Sequence, residues 1–233
     1  MSVFSTALLM APPGNDRPVV ASDVEGTLFG GRAWQGMRDY LLAHGREAQY
    51  KRFVRRNTWQ ILKYRLKLTD DEAFKVNWML GLLSLFEGLG EADLAAAGHF
   101  IVAQELWPQR RQAVLDELMR YRDSGHRVIL VSGMFEPFLA AVLAKLPGVE
   151  GIGTPLSYVD GRFTGQLRTD FHRGLAKSAS LAPFQREGRI EAAFGDTAAD
   201  IPMLSLANRP VAVAPDQKLA QHAAAHDWQI LAP

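Results

Sequence analysis

The chain has 233 residues, 48% of them hydrophobic, which suits one α/β core with a smaller inserted unit and excludes a disordered chain. Lys and Arg (26) nearly balance Asp and Glu (25), so the formal charge of +1 supplies no field for nucleic acid as the main partner. The lack of cysteine excludes disulfides, thiolate metal sites and a cysteine nucleophile.

Residues 1–17 read as a ragged tail. The apolar run from Phe4 to Met10 is too short to span a bilayer, lacks a basic leader and is followed by Pro12, Pro13 and Gly14. The expectation is a cytoplasmic protein without a transmembrane segment. Pro18 to Ser22 reads as a short strand buried on both faces, ending in Asp23-Val24-Glu25-Gly26-Thr27, where an open α/β sheet keeps its ligand crevice. Alternation puts Asp23 and Glu25 on one side, so one can attack or bind while the other handles protons. Gly26 permits a sharp turn.

Helical periodicity then runs for about seventy residues. Met37, Leu41 and Leu42 share a face, Thr69-Asp70-Asp71-Glu72 reads as a capping box opening a helix through Leu83, and a further helix starts near Glu91 and ends before Pro108. The α/β rhythm returns with a helix from Gln109 to Asp123, a strand Arg127–Val131 ended by Ser132-Gly133, and a helix from Pro137 to Leu146. A hairpin follows over 156–167, turning at Asp160-Gly161. Next come a helix near Gly174–Glu187, a strand Ile190–Phe194, a helix from Ala198, a strand Pro210–Val213, a helix Asp216–Ala225 and a last strand Trp228–Leu231. This order predicts an α/β fold: a doubly wound, mostly parallel Rossmann-like core of residues 1–31 and 107–233, with residues 32–106 inserted as an all-helical cap.

Further candidate site residues fall at strand exits and helix starts. Asp196 and Asp200 lie four apart across a turn into a helix, so both can converge on one hard cation such as Mg²⁺; read alone, Asp200 is equally a first-turn acid favoured by the helix dipole. Ser132 and Gly133 offer an anion a hydroxyl and backbone amides, or else merely break a strand. Lys177, near a helix start, can reach a phosphoryl oxygen as a point charge.

These motifs, in this order, resemble those of the haloacid-dehalogenase-like phosphohydrolases, in the branch with a helical cap that includes phosphoserine phosphatase. The match comprises Asp23-Val24-Glu25-Gly26-Thr27, Ser132, Lys177 and Gly195-Asp196-Thr197-Ala198-Ala199-Asp200, spanning almost everything beyond residue 17. Two positions depart from that pattern. Glu25 stands where most members carry aspartate, and Arg32, nine residues after Asp23, reverses the charge of a cap-side glutamate, which argues against an amino-acid substrate. Arg173 and Lys177 precede Asp196 by 23 and 19 residues; both remain candidates for the third motif, with the Gly174-x-x-Lys177 context favouring the lysine.

The resemblance implies a Mg²⁺-dependent phosphatase acting on a small phosphorylated substrate. Asp23 would attack phosphorus, Glu25 would act as acid and base, and Ser132, Gly133 and Lys177 would hold the phosphoryl oxygens. Asp23, the Glu25 carbonyl, Asp196 and Asp200 would serve the metal. A phosphotransferase or mutase on the same scaffold and a catalytically weak phosphate-binding protein are the alternatives. Nothing in the sequence sets an oligomeric state. Between Lys51 and Lys67 the chain has seven cations and no acid; Arg52, Arg56, Trp59 and Lys63 fall on one helical stripe. That stripe is a solvated basic face or, with Arg32, an attractor for a substrate of additional negative charge or for an anionic membrane surface.

Overall fold

A computed structural model describes residues 17–232 of the chain; the expected tail and its apolar run lie, but for Arg17, outside the described residues. β1 (Val19–Ser22) is fully buried and central, as its paired valines require. Helices α1 (Ala33–Ala43), α2 (Glu47–Arg56), α3 (Thr58–Arg65), α4 (Asp71–Ser84) and α5 (Glu91–Ile101) follow before any further strand. The chain then alternates through α6 (Gln112–Asp123), β2 (Arg127–Phe135), α7 (Glu136–Leu143) and β3 (Glu150–Thr154). A two-stranded antiparallel hairpin, β4 (Leu156–Val159) and β5 (Arg162–Leu167), precedes α8 (Leu175–Leu181), β6 (Ile190–Gly195), α9 (Ile201–Leu204), β7 (Ala207–Val213), α10 (Gln217–Ala225) and β8 (Gln229–Leu231).

The main sheet is parallel throughout, in the order β3-β2-β1-β6-β7-β8. The chain reverses direction of travel across the sheet between β1 and β6, so a crevice opens beyond their carboxyl ends. Side-chain alternation divides the core into two layers. Val20, Val128, Leu130, Phe194 and Val211 pack with α6 and α7 on one face, and Val19, Ala21, Ile129, Val131 and Ala212 pack with α8, α9 and α10 on the other. The first layer continues into the helical insertion through Met37, Leu41, Leu83, Phe86, Leu94 and Ile101, which anchors the insertion to the sheet through one shared apolar core.

Several boundaries differ from the sequence reading. The cap of α4 is Asp70, whose carboxylate accepts from the Ala73 amide at 2.6 Å; Thr69 stands one residue too early for the expected capping box. β2 does not end at Ser132-Gly133. It runs on to Phe135, with a register shift against β3 between Val131 and Phe135. α5 passes into a π-helical turn (Val102–Leu106) and a 3₁₀ turn (Trp107–Gln109). The helix expected at Gly174–Glu187 stops after Leu181, and a 3₁₀ turn at Ala198–Asp200 precedes the short α9. β3 was not expected. The hairpin turns at Asp160-Gly161 with positive φ at both residues (49° and 73°), as a two-residue loop demands. Among the described residues no helix is long and apolar enough to cross a membrane.

Candidate active site

Asp23 leaves β1 with its amide bonded to the Phe194 carbonyl of β6 at 2.9 Å, so the two central strands fix its backbone. Its carboxylate is buried and accepts from Lys177 Nζ at Oδ1 (2.6 Å) and from the Thr27 hydroxyl at Oδ2 (3.3 Å). Lys177, on the first turns of α8, also donates to Asp200 Oδ1 at 2.7 Å, so one buried ammonium bridges two carboxylates. Burial disfavours that charge, but Asp23 and Asp200 outweigh it and hold the ammonium proton more tightly than usual. Arg173, the other third-motif candidate, is exposed.

Asp200 is anchored by the turn it belongs to. Its Oδ2 accepts from the Asp196 amide (3.3 Å), the Thr197 amide (3.1 Å) and the Thr197 hydroxyl (3.1 Å). Asp196 follows β6, and its carbonyl accepts from the Asp216 amide at 2.8 Å; the Asp216 carboxylate, which caps α10 at Leu219, accepts from the Ala198 amide at 3.1 Å. Ligand oxygens of Asp23, Asp196 and Asp200 lie within 4.8 Å of one another, and all three side chains are buried. Burial, reinforced by the Asp23 and Asp200 charges, pushes the Asp196 carboxyl from an aspartate's ordinary 3.8 to about 8.

Gly26 makes this convergence possible. Its φ is +95°, and a β-carbon there would stand 1.8 Å from Asp196 Oδ2. The Gly26 carbonyl accepts from Arg111 Nε at 3.2 Å, which ties the turn to α6.

Glu25 stands outside the group of three converging carboxylates but within electrostatic reach of Asp23 and Lys177. Its Oε1 accepts from the Ala33 amide at 2.6 Å, at the start of α1, and its carbonyl accepts from Arg32 Nη1 at 3.3 Å. The extra methylene of glutamate gives the carboxyl the reach to cap the first helix of the insertion. Burial, opposed by the Ala33 amide and Arg32, raises its carboxyl above the usual range. Ser132 lies inside β2 and not at its end, and its hydroxyl accepts from the Met134 amide at 3.2 Å across the register shift. The Gly133 carbonyl accepts from the Thr154 hydroxyl at 2.8 Å, and the Phe171 ring packs over the Gly133 α-carbon.

Sequence reasoning gave no role to Thr27, Asp216, Arg111 or His172. Thr27 lies four residues after Asp23 in the quoted motif, a spacing that signals a hydroxyl folded back by a turn; no local pattern marks Arg111. His172, whose ring meets the Ser180 hydroxyl at 3.3 Å, is driven down to about 4 by burial and by Lys177, so it stays neutral beside the site.

The chain is similar to known proteins over most of its length. Phosphoserine phosphatase SerB1 of Mycobacterium tuberculosis is 34% identical over 158 residues, covering 64% of this chain and 49% of that protein. The chain spans about half the length of the curated relatives it matches first. In fold it is similar to a Bordetella pertussis protein of unknown function (TM-score 0.73, 24% identity, 92% of this chain and 98% of that one). A phosphoserine phosphatase from T. onnurineus is similar in the same way (TM-score 0.57, 23% identity, 96% and 92%). The model of the haloacid dehalogenase-like hydrolases matches residues 20–205, from the strand that delivers Asp23 to the helix after Asp200, and the chain belongs to that family.

Proposed function

We propose that the chain is a divalent-metal-dependent phosphomonoester hydrolase that works through an aspartyl-phosphate on Asp23. The observation that carries this reading is the convergence of Asp23, Asp196 and Asp200 around the Lys177 ammonium where β1 and β6 part. Three carboxylates against one ammonium leave excess negative charge in a buried site, and an all-oxygen donor set of this kind suits a hard cation such as Mg²⁺. Asp23, Asp196 and Asp200 would hold it. The carbonyl of Glu25, which accepts from Arg32 at 3.3 Å, has a second lone pair with which it would join them. When bound, the cation would draw charge from the phosphoryl oxygens and neutralise the carboxylates around them.

The chain's own residues would then act as follows. Lys177 fixes the Asp23 carboxylate at one oxygen and Thr27 at the other, so the nucleophile is oriented before substrate arrives. An Asp23 oxygen attacks phosphorus as the bond to the leaving oxygen breaks, and Glu25, whose burial helps it keep a proton, donates that proton to the leaving group. The resulting Glu25 carboxylate takes a proton from a water that attacks the phosphoryl group, which frees phosphate and restores Asp23. Gly133 and Lys177 would bind phosphoryl oxygens, and the Ser132 hydroxyl, which only accepts from the Met134 amide, would keep its proton to donate to one.

The insertion spanning about residues 32–106 would serve as the cap over this crevice, with Glu25 linking the catalytic turn to its first helix. Arg32 beside the site would favour a small phosphorylated metabolite with additional negative charge over one presenting an ammonium. A phosphate-release screen of phosphomonoesters with purified protein and Mg²⁺ tests the reading. Metal-dependent release abolished by Asp23→Asn supports it. Transfer of the phosphoryl group to an added sugar in place of water would make the chain a phosphotransferase, and no turnover on any phosphomonoester would contradict the proposal.

A further inference from the structure

Four of the eight exposed large hydrophobic side chains among the described residues fall within one short segment: Trp59 (63%), Leu62 (43%), Leu66 (58%) and Leu68 (71%). That segment belongs to the α2–α3 arm of the insertion. The arm breaks at Asn57, whose dihedrals leave the helical region; its amide bonds back to Phe53 and Val54, and its carbonyl accepts from Ile61. At 3.6 residues per turn, Arg52, Arg55 and Arg56 share one face of α2, and Trp59, Leu62, Lys63 and Leu66 share one face of α3, each within an arc of about 100°.

The opposite face of the arm is the packed one. The Phe53 ring lies 4.8 Å from that of Trp78 and presses on Gly81, and Tyr64 stacks on Phe74 at 4.1 Å, so α4 covers the inner side. Outward, Lys51 pairs with Glu47, and Arg52, Arg55 and Arg56 make no ion pair among the described residues. Lys63 stands 5.7 Å over the Trp59 ring. The arm therefore turns an aromatic and aliphatic row, edged by cations, away from the protein.

We propose that this outer face of α2 and α3 docks on an anionic bilayer surface. Charge complementarity carries the choice of partner: cations flank the row, while the row itself holds no acid between Lys51 and Lys67. An indole sits well at headgroup level, and leucines beside it enter the acyl boundary while long cationic side chains reach the phosphates. A nucleic-acid backbone would use the cations but not the leucines. The docking is independent of the phosphatase reading and stands or falls without it.

Vesicle sedimentation of the full chain tests the proposal, with phosphatidylcholine alone and phosphatidylcholine mixed with phosphatidylglycerol. The protein should sediment with the anionic vesicles, remain in solution with the neutral ones and lose binding as salt rises. Replacing Arg52, Arg55 and Arg56 together by Gln should lower partitioning roughly a hundredfold, and Leu62→Ser with Leu66→Ser at least about tenfold. Unchanged far-UV circular dichroism and thermal unfolding show that the variants are folded. Three results would each overturn the proposal: no anionic-vesicle binding by the wild type, binding indifferent to the leucine substitutions, or self-association of the chain through this face that the leucine substitutions abolish.

Discussion

Lys177→Met removes a buried ammonium and leaves a side chain of similar length in its place. Lys177 is 6% exposed and bonds to both Asp23 (2.6 Å) and Asp200 (2.7 Å), whose side chains are 7% and 1% exposed. Breaking a buried ion pair on one side costs about 3–5 kcal/mol, because the carboxylates stay buried without their partner. The metal-free protein should therefore lose about that much in urea denaturation at neutral pH with chelator present. Mg²⁺ should return part of the loss by supplying the missing positive charge. The deficit should shrink on acidification, since protonated carboxyls need no cation. Phosphatase activity should fall too, because Asp23 loses the contact that orients it. A loss below about 1 kcal/mol, no larger than that of an exposed-lysine control such as Lys145→Met, would refute the argument that this ammonium holds the carboxylates together.

Asp196 gives a pH signature. Its folded carboxyl titrates at about 8 against an ordinary 3.8, so its contribution to metal-free stability is intact below about pH 4 and is lost as pH rises towards 8. A divalent cation must displace that proton, so the rise in Tm caused by Mg²⁺ should be larger at pH 9 than at pH 6; a rise independent of pH contradicts the assignment. Glu25→Gln keeps an acceptor for the Ala33 amide and removes the proton, so alkyl phosphates should slow far more than an activated aryl phosphate, and equal losses would exclude Glu25 as the leaving-group acid. Gly26→Ala combines a left-handed φ with a β-carbon driven into Asp196, and should weaken Mg²⁺ binding by more than about tenfold, read by calorimetry; wild-type affinity would show that the turn has room to spare.

Much of this was legible in the sequence because the signals were local. Paired valines followed by acids and a glycine mark β1 and the turn that follows it, and Asp160-Gly161 marks the hairpin. β3 was hidden because Gly151 and Gly153 replace the bulky residues that announce a strand; they are small since α7 packs directly on them through Leu139. Ser132 looked like a strand end because a register shift, invisible without the partner strand, carries β2 past it. The placement of Glu25 depended on a bond to Ala33, and no spacing rule predicts which amide a longer side chain will find. The Lys177 bridge joins residues 154 and 23 positions apart in the chain, so motif order could nominate the lysine, while only the fold brings its ammonium between Asp23 and Asp200.

The most direct test of the central proposal is to quench turnover of a phosphomonoester with acid and map the trapped phosphate by peptide mass spectrometry. The account predicts a hydroxylamine-labile phosphoryl group on the peptide containing Asp23, absent in Asp23→Asn, which should also lose at least about a hundredfold in activity. A fully active Asp23→Asn enzyme, or a phosphoryl group mapped to any other residue, would contradict it.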